Sequence, residues 1–379
     1  MMIKMISRDA CAVSGKTDLE PLDTLRNFPI FMGCTKSAQA DDEGANMSWA
    51  ISRGSGAIQL QKLIPIEILY RESHGSGCVG MVWQNHHQAF ARFLRATRPL
   101  AVFEIGGGHG VLAKTYRSAH SIPWTILEPN PSPVDDSRAR FIRGFFDKNF
   151  IFKGPFDTVV HSHVFEHIYE PAKFMWHLSK FISPGKHLVF SLPNMLAMLK
   201  NKHANCLNFE HTVLLSEAHI EFLLSQHGFR LKRKLKYLKD HSIFYCAVRD
   251  PKVIKAPLPK HLRKKYIKLY RTYGNYFKKL VPTLNQIILR KNRKVFLFGA
   301  HIFSQFLIAH GLNVSKVWAV LDNDTSKQGK RLYGTPLKVY SPEILRSEKQ
   351  PLVILKAGSY NREIKKQILQ SINRETRFL

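Results

Sequence analysis

Acidic side chains are scarce. The 379 residues carry 28 Asp and Glu against 57 Lys and Arg, a formal net charge of +29. An excess of that size points to nucleic acid, an anionic membrane surface or acidic small molecules, and it says nothing about fold. Cysteines are few, odd in number and scattered (Cys11, Cys34, Cys78, Cys206, Cys246). They form no disulfide framework, and a reducing cytoplasm fits them best. Long apolar runs are absent, since none approaches the ~20 residues that span a bilayer. The opening MMIKMISRDACAV has no apolar core followed by a small-residue cleavage site, so export by a signal peptide is not expected. What is present is ordinary globular material. An apolar fraction of 44% excludes a wholly disordered chain. The length predicts two or three domains.

The charge is not evenly spread. Residues 1–229 are net +3, residues 230–294 net +19 and residues 295–379 net +7. The middle stretch contains KVIKAPLPKHL, whose prolines mark a linker. It continues as HLRKKYIKLYRTYGNYFKKL, where Leu262, Tyr266, Leu269, Tyr270, Tyr273, Phe277 and Leu280 recur at helical spacing. This predicts a basic amphipathic helix joining two halves of the chain. Its charged face suits solvent, an anionic lipid surface, nucleic acid or a nucleotide diphosphate. No RNP, KH, zinc-finger or helix-turn-helix signature accompanies it, which weakens the nucleic-acid reading.

Along the chain, residues 1–70 alternate short apolar pieces with turn residues and predict a small irregular or β-rich unit. HHQAFARFLRATRP reads as a helix stopped by Pro99. LAVFEIGGGHGVLAKTYRSA then gives a buried strand, a glycine loop and a helix. WTILEPNP, FIRGFFD, FDTVVHSHVFEHI and KHLVFSLPNM predict further strands, and PAKFMWHLSKFISPG and SEAHIEFLLSQHGF predict helices. Such alternation with short loops makes a mostly parallel sheet covered on both faces. After the basic stretch the pattern restarts as a smaller α/β unit in RKVFLFGAHIFSQFLIAHGL, KVWAVLDND and PLVILKAG.

The most informative segment is Glu104-Ile105-Gly106-Gly107-Gly108-His109-Gly110. Glycines there permit a tight turn and close approach of backbone to a ligand. Glu128, 24 residues past Glu104 at the next strand end, can accept hydrogen bonds from both ribose hydroxyls. The even spacing of Gly106, Gly108 and Gly110 does not match a G-x-G-x-x-G dinucleotide fingerprint. It resembles motif I of class I S-adenosylmethionine-dependent methyltransferases. FDTVVHSHVFEHIYEP, with Glu166-His167 on a common "EHI", resembles the same family's fourth-strand motif. Asp147 stands at the end of the third strand, where the family often places an adenine contact.

The flanks resemble a narrower group, the sugar C-methyltransferases that act on nucleotide-linked sugars. That resemblance implies a small N-terminal zinc-binding domain (1–70), a central methyltransferase domain (71–250), a basic helical linker (251–292) and a C-terminal Rossmann-like domain (293–379). Asp322, Lys327 and Gly329 fall on its "D-x-x-x-x-K-x-G" pattern. The fold expected is therefore α/β: a class I methyltransferase sheet flanked by a small N-terminal domain and a second, smaller Rossmann-like domain. The zinc knuckles are degenerate. Cys11 stands alone, and Ser14, Ser52 and Ser55 occupy cysteine positions. Serine is a poor zinc ligand, so no metal is expected.

The family's Y-H-E-H segment corresponds to Asn208-Phe209-Glu210-His211, and the resemblance makes His211 the catalytic residue with Glu210 beside it. Asp240-His241-Ser242 loosely matches a later "H-G-G-S". Methyl transfer is an in-line displacement that needs alignment, and a hydroxyl acceptor also needs a base. His211 is the first candidate, with His163 and His167 at the expected cleft. The expected cofactor contacts are Glu104, Gly106, Gly108, Gly110, Glu128 and Asp147. Asn194 is read as an acceptor contact or a helix cap. The glycine-rich segment from His74 to Phe90 is read as covering the methionine end of the cofactor, or as a surface loop. With Asn208 replacing tyrosine, transfer to oxygen or nitrogen is at least as plausible as transfer to carbon. The leading expectation is a cytoplasmic methyltransferase of a nucleotide-linked sugar or related capsule or lipopolysaccharide precursor, with peripheral membrane contact through the basic helix left open. An RNA methyltransferase and a non-catalytic cofactor-binding scaffold are the alternatives.

Overall fold

The computed structural model of the chain describes residues 3–70, 80–117, 119, 121–290 and 293–379. The first part of the glycine-rich segment, residues 74–79, lies outside them. Three sheets organise the molecule. The first is antiparallel, built from β1 (Leu19–Pro29), β2 (Gly44–Ser52) and β3 (Ile58–Leu60). Its outer strand, Val213–Leu214, comes from the middle of the chain and pairs with Ile58 and Gln59. The sequence reading made residues 1–70 a separate unit. Its sheet instead takes in a strand immediately after the candidate catalytic segment. In place of a zinc knuckle, the Cys11 thiol lies 3.1 Å from the Ser55 hydroxyl, and Ser52 accepts from the Ser55 amide at 3.0 Å. One thiol with hydroxyl neighbours does not fit a tetrahedral zinc site.

The middle sheet carries β4 (Val102–Ile105), β5 (Trp124–Glu128), β6 (Arg140–Arg143), β7 (Thr158–Ser162), β8 (His187–Pro193), β9 (Phe229–Tyr237) and β10 (Ser242–Arg249). Their spatial order is β9-β10-β8-β7-β4-β5-β6. The last five are mutually parallel, whereas β10 is antiparallel to both β8 and β9. Successive side chains on a strand point to opposite faces, so the apolar runs serve two cores. Phe103, Val159 and Phe190 face α3 (Pro171–Phe181) and α5 (Glu217–Gln226). Val102, Val160 and Val189 face α1 (Met81–Arg95) and α2 (Val111–Arg117). A short α4 (Met195–Lys200) follows β8, and Asn194 caps it by accepting from the Ala197 amide.

The basic stretch divides in two. Its first part is β9, a strand the sequence reading did not assign. Its second is α6 (Leu262–Leu289), which runs past Leu280 with Pro282 inside it. The apolar spacing continues through Val281, Leu284 and Ile288, which explains the extra length. The sequence reading joins two halves of the chain with this helix and packs its aromatic stripe on a neighbouring domain, and α6 buries that stripe in a core shared by Trp49 and Leu60 of the first sheet, Met198 of α4 and Phe306 of the C-terminal unit. That unit is a parallel sheet of β11 (Val295–Phe298), β12 (Ala319–Leu321), β13 (Val339–Tyr340), β14 (Leu352–Leu355) and β15 (Arg377–Phe378), in the order β13-β12-β11-β14-β15. Asp322 holds its first turn by accepting from the Ala300 amide at 2.8 Å, with Lys327 Nζ 3.4 Å away. Among the described residues no helix is long and apolar enough to cross a membrane.

Candidate active site

The carboxyl ends of β4, β5, β7 and β8 meet where the order of connections reverses, the usual place for a ligand in an open parallel sheet. The glycine loop leaves β4 with Gly106, Gly108 and Gly110 at φ of +70°, +51° and +74°. At Gly106 a side chain would strike Val164 at 2.6 Å, so both the turn and the packing require glycine. Glu128 ends β5 and accepts from the Gly108 amide at 3.0 Å and from the Asn130 amide at 3.1 Å. The loop is thus tied to the carboxylate expected to serve a ribose. Glu104 lies beneath the loop, 2% exposed, and accepts from the Trp124 indole N–H at 2.7 Å. Burial pushes its carboxyl up to about 7, against the pull of that hydrogen bond. Its position supports the loop from inside. Asp147 is exposed in a turn past β6, where it accepts from the Asn149 amide.

The histidines come together on the other side of the cleft. His163 follows β7 with φ of +54°, a strained conformation for a non-glycine residue. Its Nδ1 is 3.3 Å from Glu166 Oε1 and its Nε2 is 2.8 Å from the Ser242 hydroxyl. Glu166 is 1% exposed, and His167 Nε2 lies 3.7 Å from the same Oε1. His167 Nδ1 donates to the Glu210 carbonyl at 3.1 Å. The rings of His167 and His211 have centroids 5.5 Å apart. Glu166, His163, His167, Glu210 and His211 therefore form one chain of contacts.

Asn208 organises the segment that carries His211. Its Oδ1 accepts from the amides of Glu210 and His211, both at 2.8 Å, and its Nδ2 donates to the Asn205 carbonyl. The Thr212 amide donates to the Glu166 carbonyl, and the Thr212 carbonyl accepts from the Leu60 amide in the first sheet. His211 is thus clamped between the β7 turn and the N-terminal sheet. Its Nδ1 lies 3.0 Å from the Cys206 carbonyl and 3.1 Å from Asn208 Nδ2. A carbonyl only accepts and an amide nitrogen only donates, so the Cys206 contact suits a protonated Nδ1 and the Asn208 contact a lone pair there. Burial lowers the His211 pKa from its ordinary 6.5, with Glu166 opposing. Burial likewise lowers His167, against Glu166 and Glu210, and raises the Glu166 carboxyl, against His167 and His211.

Sequence reasoning missed three contributors. Tyr70 places its ring edge-on to His167 with centroids 6.3 Å apart. Trp83 and His86, from the described part of the glycine-rich segment, pack against His163 at 4.9 and 5.2 Å. Only the MVWQNHHQAF string signalled Trp83 and His86, and its helical spacing reads equally well as core.

No curated protein matches the chain. Solved structures that resemble it include the N-methyltransferase NodS from Bradyrhizobium japonicum, 15% identical, with 45% of this chain and 97% of that one covered and a TM-score of 0.35. Magnesium protoporphyrin IX methyltransferase from Synechocystis, with SAH bound, is 21% identical over 48% and 93%, with a TM-score of 0.37. Human N-acetylserotonin methyltransferase, in complex with SAM, is 17% identical over 45% and 53%, with a TM-score of 0.39. Two family models match the sequence itself: a methyltransferase domain over residues 83–234 and a C-methyltransferase C-terminal domain over residues 260–379. The first spans the glycine loop, Glu128 and the histidine cluster in their observed order, and the chain is accordingly a class I methyltransferase that uses S-adenosylmethionine.

Proposed function

We propose that the protein methylates a nucleotide-linked sugar or a related capsule or lipopolysaccharide precursor, with His211 as the base that takes the acceptor's proton. The observation that carries this reading is the Asn208–Cys206 clamp, which holds His211 beside Glu166 and His167. The glycine loop and Glu128 would hold the cofactor, with Asp147 near its adenine. Bound there, S-adenosylmethionine supplies an electrophilic methyl group. The chain's own work is to orient the acceptor and remove a proton from it. The match of residues 260–379 to a C-methyltransferase C-terminal domain supports carbon as the methylated atom. The proton taken is then one on a carbon beside a carbonyl. Glu166 favours the imidazolium that forms when His211 accepts that proton, and His167 lies between the Glu166 and Glu210 carboxylates.

His211→Gln tests the assignment. Turnover is expected to fall by about 10²–10⁴-fold, the range for loss of a general base, with cofactor affinity unchanged by calorimetry. In the native enzyme the acid limb of kcat is expected below pH 6.5, because burial lowers the base's pKa and activity is lost only as pH falls through it. A variant with native turnover on a panel of nucleotide sugars would overturn the role. NMR of the product identifies the methylated atom.

A further inference from the structure

Three histidines from separate elements share one buried nest. His86 lies on α1, His163 after β7 and His241 just before β10. One nitrogen from each lies within 4.8 Å of the other two. Trp83 seals the group, its ring centroid 4.9–5.1 Å from all three. Tyr237 and Phe244 close the nest around His86 at 5.3 and 5.2 Å.

The hydrogen bonds account for His163 but leave His86 and one nitrogen of His241 unpaired among the described residues. His86 is fully buried, and neither of its ring nitrogens has a partner among the described residues. The same holds for His241 Nε2. A buried polar nitrogen without a partner costs about 1–3 kcal/mol, and an ion held by one nitrogen of each ring would remove that cost at His86 and at His241. The Ser242 hydroxyl stands 2.8 Å from His163 Nε2 and 2.6 Å from His241 Nδ1, an oxygen at the edge of the same space. His163 also has what a ligating histidine needs behind it, since its Nδ1 faces the buried Glu166 carboxylate at 3.3 Å.

We propose that His86, His163 and His241 bind a divalent transition-metal ion of the zinc class, with a water as the fourth, oxygen ligand. Imidazole is the preferred ligand of zinc, cobalt and nickel. Zinc–nitrogen bonds of about 2.0–2.1 Å put ligand nitrogens roughly 3.3 Å apart, so the rings close by about an ångström onto the ion. Ligating imidazoles must be neutral, and burial keeps these so, pushing His163 and His241 down to about 3. The ion would tie α1 to the ends of β7 and β10 and fix the strained His163 that faces Glu166. The expectation of no metal was argued from the serines of the N-terminal knuckle, far from this nest in sequence. The inference is independent of the acceptor and of the role of His211.

The full-length protein, stripped with a chelator and dialysed against cobalt(II) or zinc(II), is expected to retain about one ion per chain by elemental analysis. The cobalt form is expected to show the intense visible bands of a four-coordinate nitrogen site. His86→Phe with His241→Phe keeps ring volume in an apolar nest, and it is expected to lose the ion and the bands while still binding S-adenosylmethionine. Glu166→Gln is expected to weaken metal affinity by about 10–100-fold, as outer-shell carboxylates do. A wild-type protein that retains no ion overturns the site, whatever the variants do. So does an ion that survives the double phenylalanine variant, or one lost only with His211→Phe, which would place it at Glu166, His167 and His211 instead.

Discussion

At the residue scale, Glu104 shows how a motif position and its job separate. The E-x-G-x-G-x-G string marks it as a cofactor contact, yet its carboxylate sits under the loop on the Trp124 indole. That placement has a thermodynamic signature. Burial raises the folded-state pKa to about 7 from an ordinary 4.5. Between those values the unfolded carboxyl has lost its proton and the folded one keeps it, so stability falls as pH rises through that window. The full penalty, about 3 kcal/mol from the size of the shift, applies above it. Glu104→Gln keeps an oxygen for Trp124 and removes the ionisation. Thermal melts from pH 5 to pH 8 are expected to show a smaller decline for the variant than for the native protein. Equal declines would mean that Glu104 ionises freely. The glycine loop, Glu128 and His211 were legible because chemistry constrains their spacing along the chain. Tyr70, His86 and the job of Asn208 were not. Their partners lie far away in sequence, and a buried histidine on a helix looks like any core residue until the β7 and β10 ends arrive beside it.

At the scale of elements, the basic stretch separates into two devices. In β9, an edge strand, Arg230, Lys234 and Lys236 pair with Asp250, Glu217 and Glu221, and Arg233 lies 4.0 Å over the Phe93 ring. Charged side chains on an edge also discourage pairing with another chain, which gives this part of the excess a structural reason. The strand itself was hidden because lysines mask its alternation. Helix α6 was legible as a helix, since its period is strong. That its stripe packs on a neighbour was legible too, but a single amphipathic stripe does not say how many partners share it. Phe277, fully buried and 4.9 Å from Phe306 across the unit boundary, is the key contact. Phe277→Ala is expected to cost about 3–5 kcal/mol. Tyr273→Phe, which only removes the hydroxyl donated to the His203 carbonyl, is expected to cost about 0.5–1.5 kcal/mol. Denaturant midpoints of the two variants give both numbers. A Phe277→Ala midpoint close to native would show that α6 is a linker after all.

At the scale of the molecule, one part of the net +29 is set apart on the outward face of α6. There Lys264, Lys268 and Arg271 line a shallow groove, while Arg263 beside them is paired with Glu20. If this face held an RNA substrate, each neutralised phosphate would release a counterion, and six to ten such contacts lose about 10³–10⁵ in affinity between 50 and 200 mM salt. A small acceptor held in the histidine cleft has few charges to screen. Turnover on a nucleotide sugar is therefore expected to change by less than about tenfold over the same salt range, well short of that loss. Lys264→Glu with Lys268→Glu and Arg271→Glu is expected to abolish retention on a heparin column while leaving that turnover as it was. A steep salt dependence of turnover, moved together with retention by the triple reversal, would instead make the polyanion the substrate. The roles proposed for the site residues are the same under either result. What changes is which surface selects the acceptor: a cleft built where three sheets meet, or a helix whose buried stripe fixes its charged face outward.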